Sequence, residues 1–325
     1  EEYRELVPMF RRMAGLSARL RERRAKRGAI EFEFPESEII LDEEGTPVDI
    51  RPHESNTATR LIEDFMLIAN ETVAREYCTR KIPFLYRTHE KPDREKIEDA
   101  LQLIRDLGIP VSKKGQDITP AEVQKILQSL SGTEKEPLVS RLLLRSMSRA
   151  VYTTDCVGHF GLAAEYYCHF TSPIRRYPDL QIHRIIKDDL RGRLDRAGRI
   201  AGYRQRLPEA AVHSSSTEQR AQEVEREAVK LKKAEYMLEH LGEEYEGVIS
   251  GVTGWGFYVE LPNTVEGLVH IMSLRDDYYT FDEKNYQLVG EATGKTFRMG
   301  QKVRIRVKDA APANRTIDFV LADET

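Results

Sequence analysis

The run His169-Phe170-Thr171-Ser172-Pro173-Ile174-Arg175-Arg176-Tyr177-Pro178-Asp179-Leu180-Gln181-Ile182-His183-Arg184 joins a helix start signal to a pair of arginines. Ser172 has the side chain of a helix N-cap and Pro173 is preset for the first helical position, so Arg175 and Arg176 are expected beside unpaired backbone amides. The helix dipole favours a negative ligand there, and a planar guanidinium can hold two phosphate oxygens at once. Pro178 falls where its missing amide would have bonded Ile174, which predicts a kinked helix at a cost on the order of 3 kcal/mol. A second reading of the same spacing pairs Arg175 with Asp179 four residues on, while Ile182, Ile185 and Ile186 anchor the helix in a core. Spacing alone leaves both open.

Upstream of this run the grammar is mostly helical. Leu6, Met9, Phe10, Met13, Leu16 and Leu20 recur at helical spacing and lead into a basic end, Arg19, Arg21, Arg23, Arg24, Lys26 and Arg27, which reads as a solvated face. Ile30 to Phe34 alternates as a half-buried strand does. Ile39 to Leu41 and Val48 to Ile50 flank the turn Asp42-Glu43-Glu44-Gly45, so a short antiparallel sheet edge is expected. A long helix is predicted from Thr57 to about Tyr77, and further helices over Pro92 to Leu107, Thr119 to Leu130 and Pro137 to Ala150. Downstream, Ser215 and Glu218 read as a capping box for a helix from Ser216 to Leu241 that stops at Gly242. Ala221, Val224, Ala228, Leu231 and Leu238 are its expected buried stripe.

After Gly242 the pattern switches to strands. Tyr245 to Ile249, Phe257 to Leu261, Gly267 to His270, Val303 to Val307 and Ile317 to Leu321 are β-rich runs separated by Gly, Asn and Asp turns. Five of them in so short a span predict a small closed barrel. The expected class is therefore α+β, with a helix-rich unit over residues 1–241 and a five-stranded barrel over 242–325.

Length and composition agree with two folded units, since 325 residues is about twice a typical domain. Charged residues make up 32% and hydrophobic ones 40%, enough to build cores and too much for wholesale disorder. No apolar stretch approaches the roughly 18 residues that span a bilayer, so no membrane partner is expected. Cys78, Cys156 and Cys168 are odd in number and lack Cys-x-x-Cys spacing, which suits free thiols in a reducing compartment, the cytoplasm by default. The opening Glu1-Glu2-Tyr3-Arg4 lacks Met and reads directly into helix, as a piece of something longer would. Net charge is −4, with 9 basic and 14 acidic residues from Gly242 onward against 41 and 40 before it. Neither unit is polybasic, so any nucleic acid must be held by local stripes and stacking.

Gly158-His159-Phe160-Gly161-Leu162, the His169 to Tyr177 run and His183-Arg184 together closely resemble the RNB catalytic domain of the RNase R and RNase II family. The resemblance implies a processive 3′-to-5′ exoribonuclease that releases nucleoside 5′-monophosphates from single-stranded RNA with divalent metal, usually Mg2+. It implies that Arg175 contacts the scissile phosphate and stabilises transition-state charge, with Arg176, Tyr177, His183 and Arg184 as RNA contacts. The helix Leu61 to Asn70 is similar to a family helix in the RNA channel wall, which adds Asp64, and Glu225 matches a position near the 3′ nucleotide. As helical carboxylates, both also fit plain surface roles.

The later unit resembles an S1-type RNA-binding domain, an OB-fold barrel, on Gly247-Val248-Ile249-Ser250, Gly254-Trp255-Gly256-Phe257-Tyr258-Val259, Glu266-Gly267-Leu268-Val269-His270-Ile271 and Lys302-Val303-Arg304-Ile305-Arg306-Val307. By that resemblance Trp255, Tyr258 and His270 would stack on bases and Arg315 would meet phosphate. Strand alternation places Phe257 in the core, and Trp255, between two glycines, is expected to be exposed.

Two-metal hydrolysis needs clustered carboxylates, which the family supplies as Asp, five residues, Asp, one residue, then two Asp. Asp93 and Asp99 match the first interval, but Leu101 stands at the next required position. No metal ligand is assigned, and Mg2+ is expected on residues outside this sequence. The chain is then expected to bind single-stranded RNA without cleaving it alone. The competing function is a noncatalytic RNA-binding adaptor, and a phosphate-dependent exoribonuclease, which would share only the barrel, stands behind both.

Overall fold

The computed structural model describes residues 3–32, 36–53, 55–111, 117–133, 135–194, 198–283 and 285–322. Helix α1 (Val7–Arg27) carries Pro8 in its first turn, where a missing amide is harmless, and ends at Gly28 with a φ of 95°. A Cβ at Gly28 would lie 2.7 Å from Ala121, so only glycine permits that close approach. Strands β1 (Ser37–Leu41) and β2 (Pro47–Pro52) pair antiparallel with Ile39 opposite Ile50, as expected. Residues 30–32 are not in a strand, and Glu33 and Phe34 of that expected run lie outside the described residues.

Helix α2 (Thr57–Thr79) starts at Asn56, whose Oδ1 accepts the amides of Ala58 and Thr59. Strand β3 (Tyr86–Thr88) pairs antiparallel with β4 (Val151–Thr153). Between them α3 (Arg94–Asp106), α4 (Pro120–Leu130) and α5 (Glu136–Ser146) share a core of Ile97, Leu101, Ile104, Val123, Val139 and Leu143.

Helix α6 (Tyr177–Leu190) corrects the expected kink. Residues Ser172 to Arg175 form a turn in which the amides of Arg175 and Arg176 donate to the Ser172 carbonyl at 3.3 and 3.1 Å, and Arg176 is the N-cap. Pro178 therefore lies in the first turn, where no intrahelical bond is lost, and costs nothing. The interior proline is instead Pro208 of helix α7 (Arg199–Leu238), a 40-residue helix about 60 Å long at 1.5 Å per residue.

The start expected at Ser216 is thus wrong. The Ser215 hydroxyl sits mid-helix, accepting the Tyr152 amide at 2.9 Å, and Glu218 pairs with Arg87 at 2.6 Å. The expected stripe fails too: Ala221, Val224, Ala228 and Leu238 are exposed, and Leu231 is half-buried. The reason is that α7 bridges two cores. Its early turns bury Tyr203, Leu207 and Ala211 with Ile182 and Ile185 of α6, and its last turns bury Ala234 and Met237 against the later unit.

That unit comprises β5 (Glu244–Thr253), β6 (Gly256–Glu260), β7 (Glu266–His270), β8 (Tyr279–Asp282), β9 (Gln287–Gly290), β10 (Thr296–Arg298), β11 (Lys302–Ala311) and β12 (Thr316–Leu321). The five expected strands close into a barrel in the order β11-β12-β7-β6-β5, with β12 and β7 parallel. Ile249, Phe257, Val259, Val269, Ile305 and Phe319 fill it, so Phe257 is core as its alternation required. The sheet β10-β9-β8 was not expected, because its strands are three or four residues long; it delivers Leu288 and Phe297 to the same core. The α+β class stands. Among the described residues no helix is long and apolar enough to cross a membrane.

Candidate nucleic-acid interface

The segment from Tyr167 to Arg176 is extended and then turned; the Tyr167 carbonyl accepts the Arg87 amide of β3 at 3.0 Å, and side chains of α2 and α6 hold the polar backbone of Phe170 and Ser172. Asn70 of α2 is fully buried; its Oδ1 accepts the Phe170 amide at 3.0 Å, and its Nδ2 donates to Tyr167 Oη at 3.2 Å. Nε2 of His183 lies 2.9 Å from the Phe170 carbonyl, and its ring stacks on Phe170 at 4.5 Å. Asp179, fully buried in the first turn of α6, accepts the Ser172 amide at 2.8 Å and Arg176 Nε and Nη2 at 3.2 and 2.8 Å, all on Oδ2. A buried carboxylate needs such partners, since it is costly to bury unpaired.

The partner of Asp179 is therefore Arg176, which corrects the Arg175 to Asp179 pairing. Geometry explains the exchange: because the helix begins at Tyr177, the i to i+4 reach from Arg175 does not exist. Arg175 stands exposed at the tip of the turn, beside a fully exposed Ile174, and no hydrogen bond or ion pair among the described residues holds its guanidinium. The Ser172 amide is spent on Asp179.

Behind the turn lies a buried polar cluster. Tyr152 Oη lies 2.8 Å from His169 Nδ1, and Arg87 rests over the Tyr152 ring at 4.7 Å. Burial first, and then the positive charges of Arg176 and Arg87, push the His169 imidazole down to about 2, so it stays neutral. His159 is pushed down to about 3, again by burial and then by His89.

The other named residues are scattered. Tyr177 and Arg184 are exposed on α6. Asp64 is only 1% exposed and lies under Ser17, Arg21 and Arg24 of α1, at 2.5, 2.8 and 2.5 Å. Burial raises its carboxyl, but those three donors together outweigh burial and hold it below the ordinary value. Glu225 is exposed on the middle of α7. In the barrel, Trp255 is 54% exposed just before β6, and its carbonyl accepts the amide of Ile271 at 2.8 Å. His270 pairs in register with Gly256, which brings it to the same end of the β6–β7 pair as Trp255, and Tyr258 pairs with Leu268 further along. His270 Nδ1 accepts the Met272 amide at 3.1 Å. Arg315 reaches Glu227 of α7 at 2.5 Å, so it ties the barrel to the helix.

Sequence reasoning missed Asn70 and the fixing role of Asp179. The only signal for Asn70 was a polar residue three places after Leu67 and four before Ala74, on the buried stripe of α2.

The carboxylates among the described residues do not assemble a metal site. Among the described residues no group of three or more His, Cys, Asp or Glu could hold an ion. The buried carboxylates Asp64, Asp179 and Asp188 are instead committed to arginines at 2.5, 2.8 and 3.2 Å. No step here runs through a metal on these side chains.

Comparison with known proteins places this geometry. The RNB domain model matches residues 1–192, and the S1 RNA binding domain model matches residues 240–321. Ribonuclease R of Aquifex aeolicus is 45% identical over 325 residues, covering all of this chain and 46% of that protein. Ribonuclease R 1 of Lactococcus lactis is 43% identical over 319 residues, 98% of this chain and 39% of that protein. Mycoplasma genitalium RNase R, solved in complex with ribose methylated single-stranded RNA, superposes with a TM-score of 0.90 at 27% identity, over 97% of this chain and 50% of that one. This chain thus spans half or less of the length of these relatives. With more than half of its residues matched by the RNB model and the arginine-bearing turn folded as described, the chain belongs to the RNB domain family and carries an S1 RNA binding domain after it.

Proposed function

We propose that this chain is the part of a 3′-to-5′ exoribonuclease that presents Arg175 to the scissile phosphate of single-stranded RNA, with residues 242–325 guiding the strand. The observation that carries this reading is the unpartnered guanidinium of Arg175 on a turn made rigid from below by Asp179, Asn70 and His183. A preorganised cation free of internal partners can meet charge as it develops, without first breaking a bond. Arg176, by contrast, is spent on Asp179, so its part is to hold the turn. The exposed Trp255, with His270 at the same barrel end, supports stacking on bases in any sequence. Tyr177, His183, Arg184, Asp64, Tyr258, Glu225 and Arg315 complete the proposed RNA-contacting set; His183 and Asp64 would act through the elements they hold. Residues 1–241 and 242–325 are the proposed units, divided after the end of α7 at Gly242, whose φ is 84°. Three free thiols suit the cytoplasm. Mg2+ would be held by carboxylates beyond these residues, so the chain by itself binds RNA without hydrolysing it.

The test has two arms. The isolated chain with single-stranded RNA and Mg2+ is expected to retain binding and release no mononucleotide; sustained release would contradict the reading. In a protein that also contains the metal-binding aspartates, Arg175→Ala is expected to lower turnover at least a hundredfold, about 2.7 kcal/mol of transition-state stabilisation, with RNA affinity largely kept. Equal loss of both would make Arg175 a simple anchor.

A further inference from the structure

The cleft between α6 and α7 encloses about 390 Å3, within the roughly 300–1,000 Å3 of small-molecule pockets. Five cations line it, Arg184, Lys187, Arg191, Arg199 and Arg206, against one carboxylate, Asp188. That carboxylate is already committed, accepting Tyr203 Oη at 2.7 Å and pairing with Arg199 Nε at 3.2 Å. Arg206 donates to the Gly202 carbonyl at 3.1 Å and rests over the Tyr203 ring at 5.6 Å. Arg184, Lys187 and Arg191 have no ion pair or side-chain hydrogen bond among the described residues. At spacings of three and four along α6 and its C-cap residue Arg191 they repel one another, a cost that a bound anion relieves.

Gln181 adds a neutral donor and acceptor to this basic lining. It is 8% exposed and lines the cleft, yet its side-chain amide has no hydrogen-bond partner among the described residues. Its amide nitrogen and oxygen are not among the fully buried unpartnered atoms, so they reach solvent and keep a donor and an acceptor open for a ligand in the cleft. Such an amide matches the paired donor and acceptor of a nucleobase edge, as in amide recognition of adenine N6 and N7. Tyr177, half-exposed on the rim, offers a face for stacking.

We propose that this cleft is a binding site for a nucleoside 5′-monophosphate, with the phosphate on Lys187, Arg191 and Arg184 and the base edge on Gln181. Arg175 does not line it. The site goes beyond the RNA-cleavage reading, sharing with its proposed RNA contacts only Tyr177 and Arg184, and it is tested separately because binding is measured on this chain directly.

Isothermal titration of the intact 325-residue chain with adenosine 5′-monophosphate, adenosine, inorganic phosphate and penta-adenylate tests the proposal. Adenosine 5′-monophosphate is expected to bind, with adenosine at least tenfold weaker. The double variant Lys187→Ala/Arg191→Ala is expected to weaken the monophosphate at least tenfold. Gln181→Leu is expected to weaken the monophosphate while leaving inorganic phosphate unchanged, and a thermal melt of each variant checks folding; Gln181→Glu, which keeps the polar shape, should weaken both. No binding of the monophosphate at millimolar concentration would overturn the proposal, as would undiminished binding by Lys187→Ala/Arg191→Ala. Dependence on Arg175 instead would assign the anion to the turn. Binding of penta-adenylate alone through Lys187 and Arg191 would make the cleft a strand-tracking surface and would equally overturn it.

Discussion

At the scale of single residues, two adjacent arginines with the same chemistry have opposite fates. Arg176 is spent on the fully buried Asp179, whereas Arg175 is left free by the turn that this ion pair holds. Removing the carboxylate therefore strands a half-buried guanidinium and leaves the Ser172 amide without its acceptor. Asp179→Ala is expected to cost about 3–5 kcal/mol, the usual penalty for breaking a buried pair from one side. Asp179→Asn, which keeps an acceptor for the Ser172 amide, should cost less. Urea unfolding midpoints of the two variants give the comparison, and equal losses would show that the amide contact contributes nothing. Asp64 teaches a related lesson, since a carboxylate in a helix looks like surface until three donors from another helix close over it.

Among the elements, β6 depends on one glycine for its seat in the barrel. Gly256 has a φ of 145°, and a Cβ built on it would lie 2.2 Å from the Val269 carbonyl oxygen on the neighbouring strand. Gly254, in the turn just before, has nothing within 4 Å of such a Cβ. Gly256→Ala is expected to destabilise the chain by roughly 1–3 kcal/mol or more through strain and displaced pairing, and Gly254→Ala hardly at all. Thermal melts would read the difference, and similar melting temperatures would mean that β6 and β7 can separate at no cost. Because Trp255 and His270 flank this same contact, Gly256→Ala should also weaken RNA binding by the barrel. Helix α7 shows why long elements mislead: its two ends serve different cores, so no single stripe runs its length.

For the whole molecule, the neutral histidines behind the arginine turn link stability to acidity. His159 and His169 are depressed to about 3 and about 2, chiefly by burial, whereas in the unfolded chain they return to about 6.5. Below about pH 6.5 the unfolded state takes up protons that the folded state refuses, so stability is full above that pH and falls beneath it. Each histidine contributes about 1.4 kcal/mol per pH unit at most in that window. Unfolding midpoints between pH 7.5 and 5 should therefore decline, and a flat profile would show that both rings are solvated. The same cluster joins β4, the arginine turn and, through Arg87 and Glu218, helix α7, so acid should loosen the turn and α7 together.

Most elements were legible from local pattern, because caps, prolines and apolar periodicity act within a few residues: α2 to α5, the β1–β2 hairpin and the five barrel strands all follow such signals. The RNB and S1 resemblances were equally legible, resting on contiguous motifs around Arg175 and Trp255. Local pattern could not decide which of two neighbouring arginines meets Asp179, where α6 and α7 begin, or that Asn70 and His183 pin the turn. Those outcomes depend on contacts between residues a hundred or more positions apart, such as Asn70 with Phe170 and Arg87 with Glu218. A backbone amide or buried carboxylate takes whatever partner the packed elements bring to it, and only the tertiary structure supplies that partner.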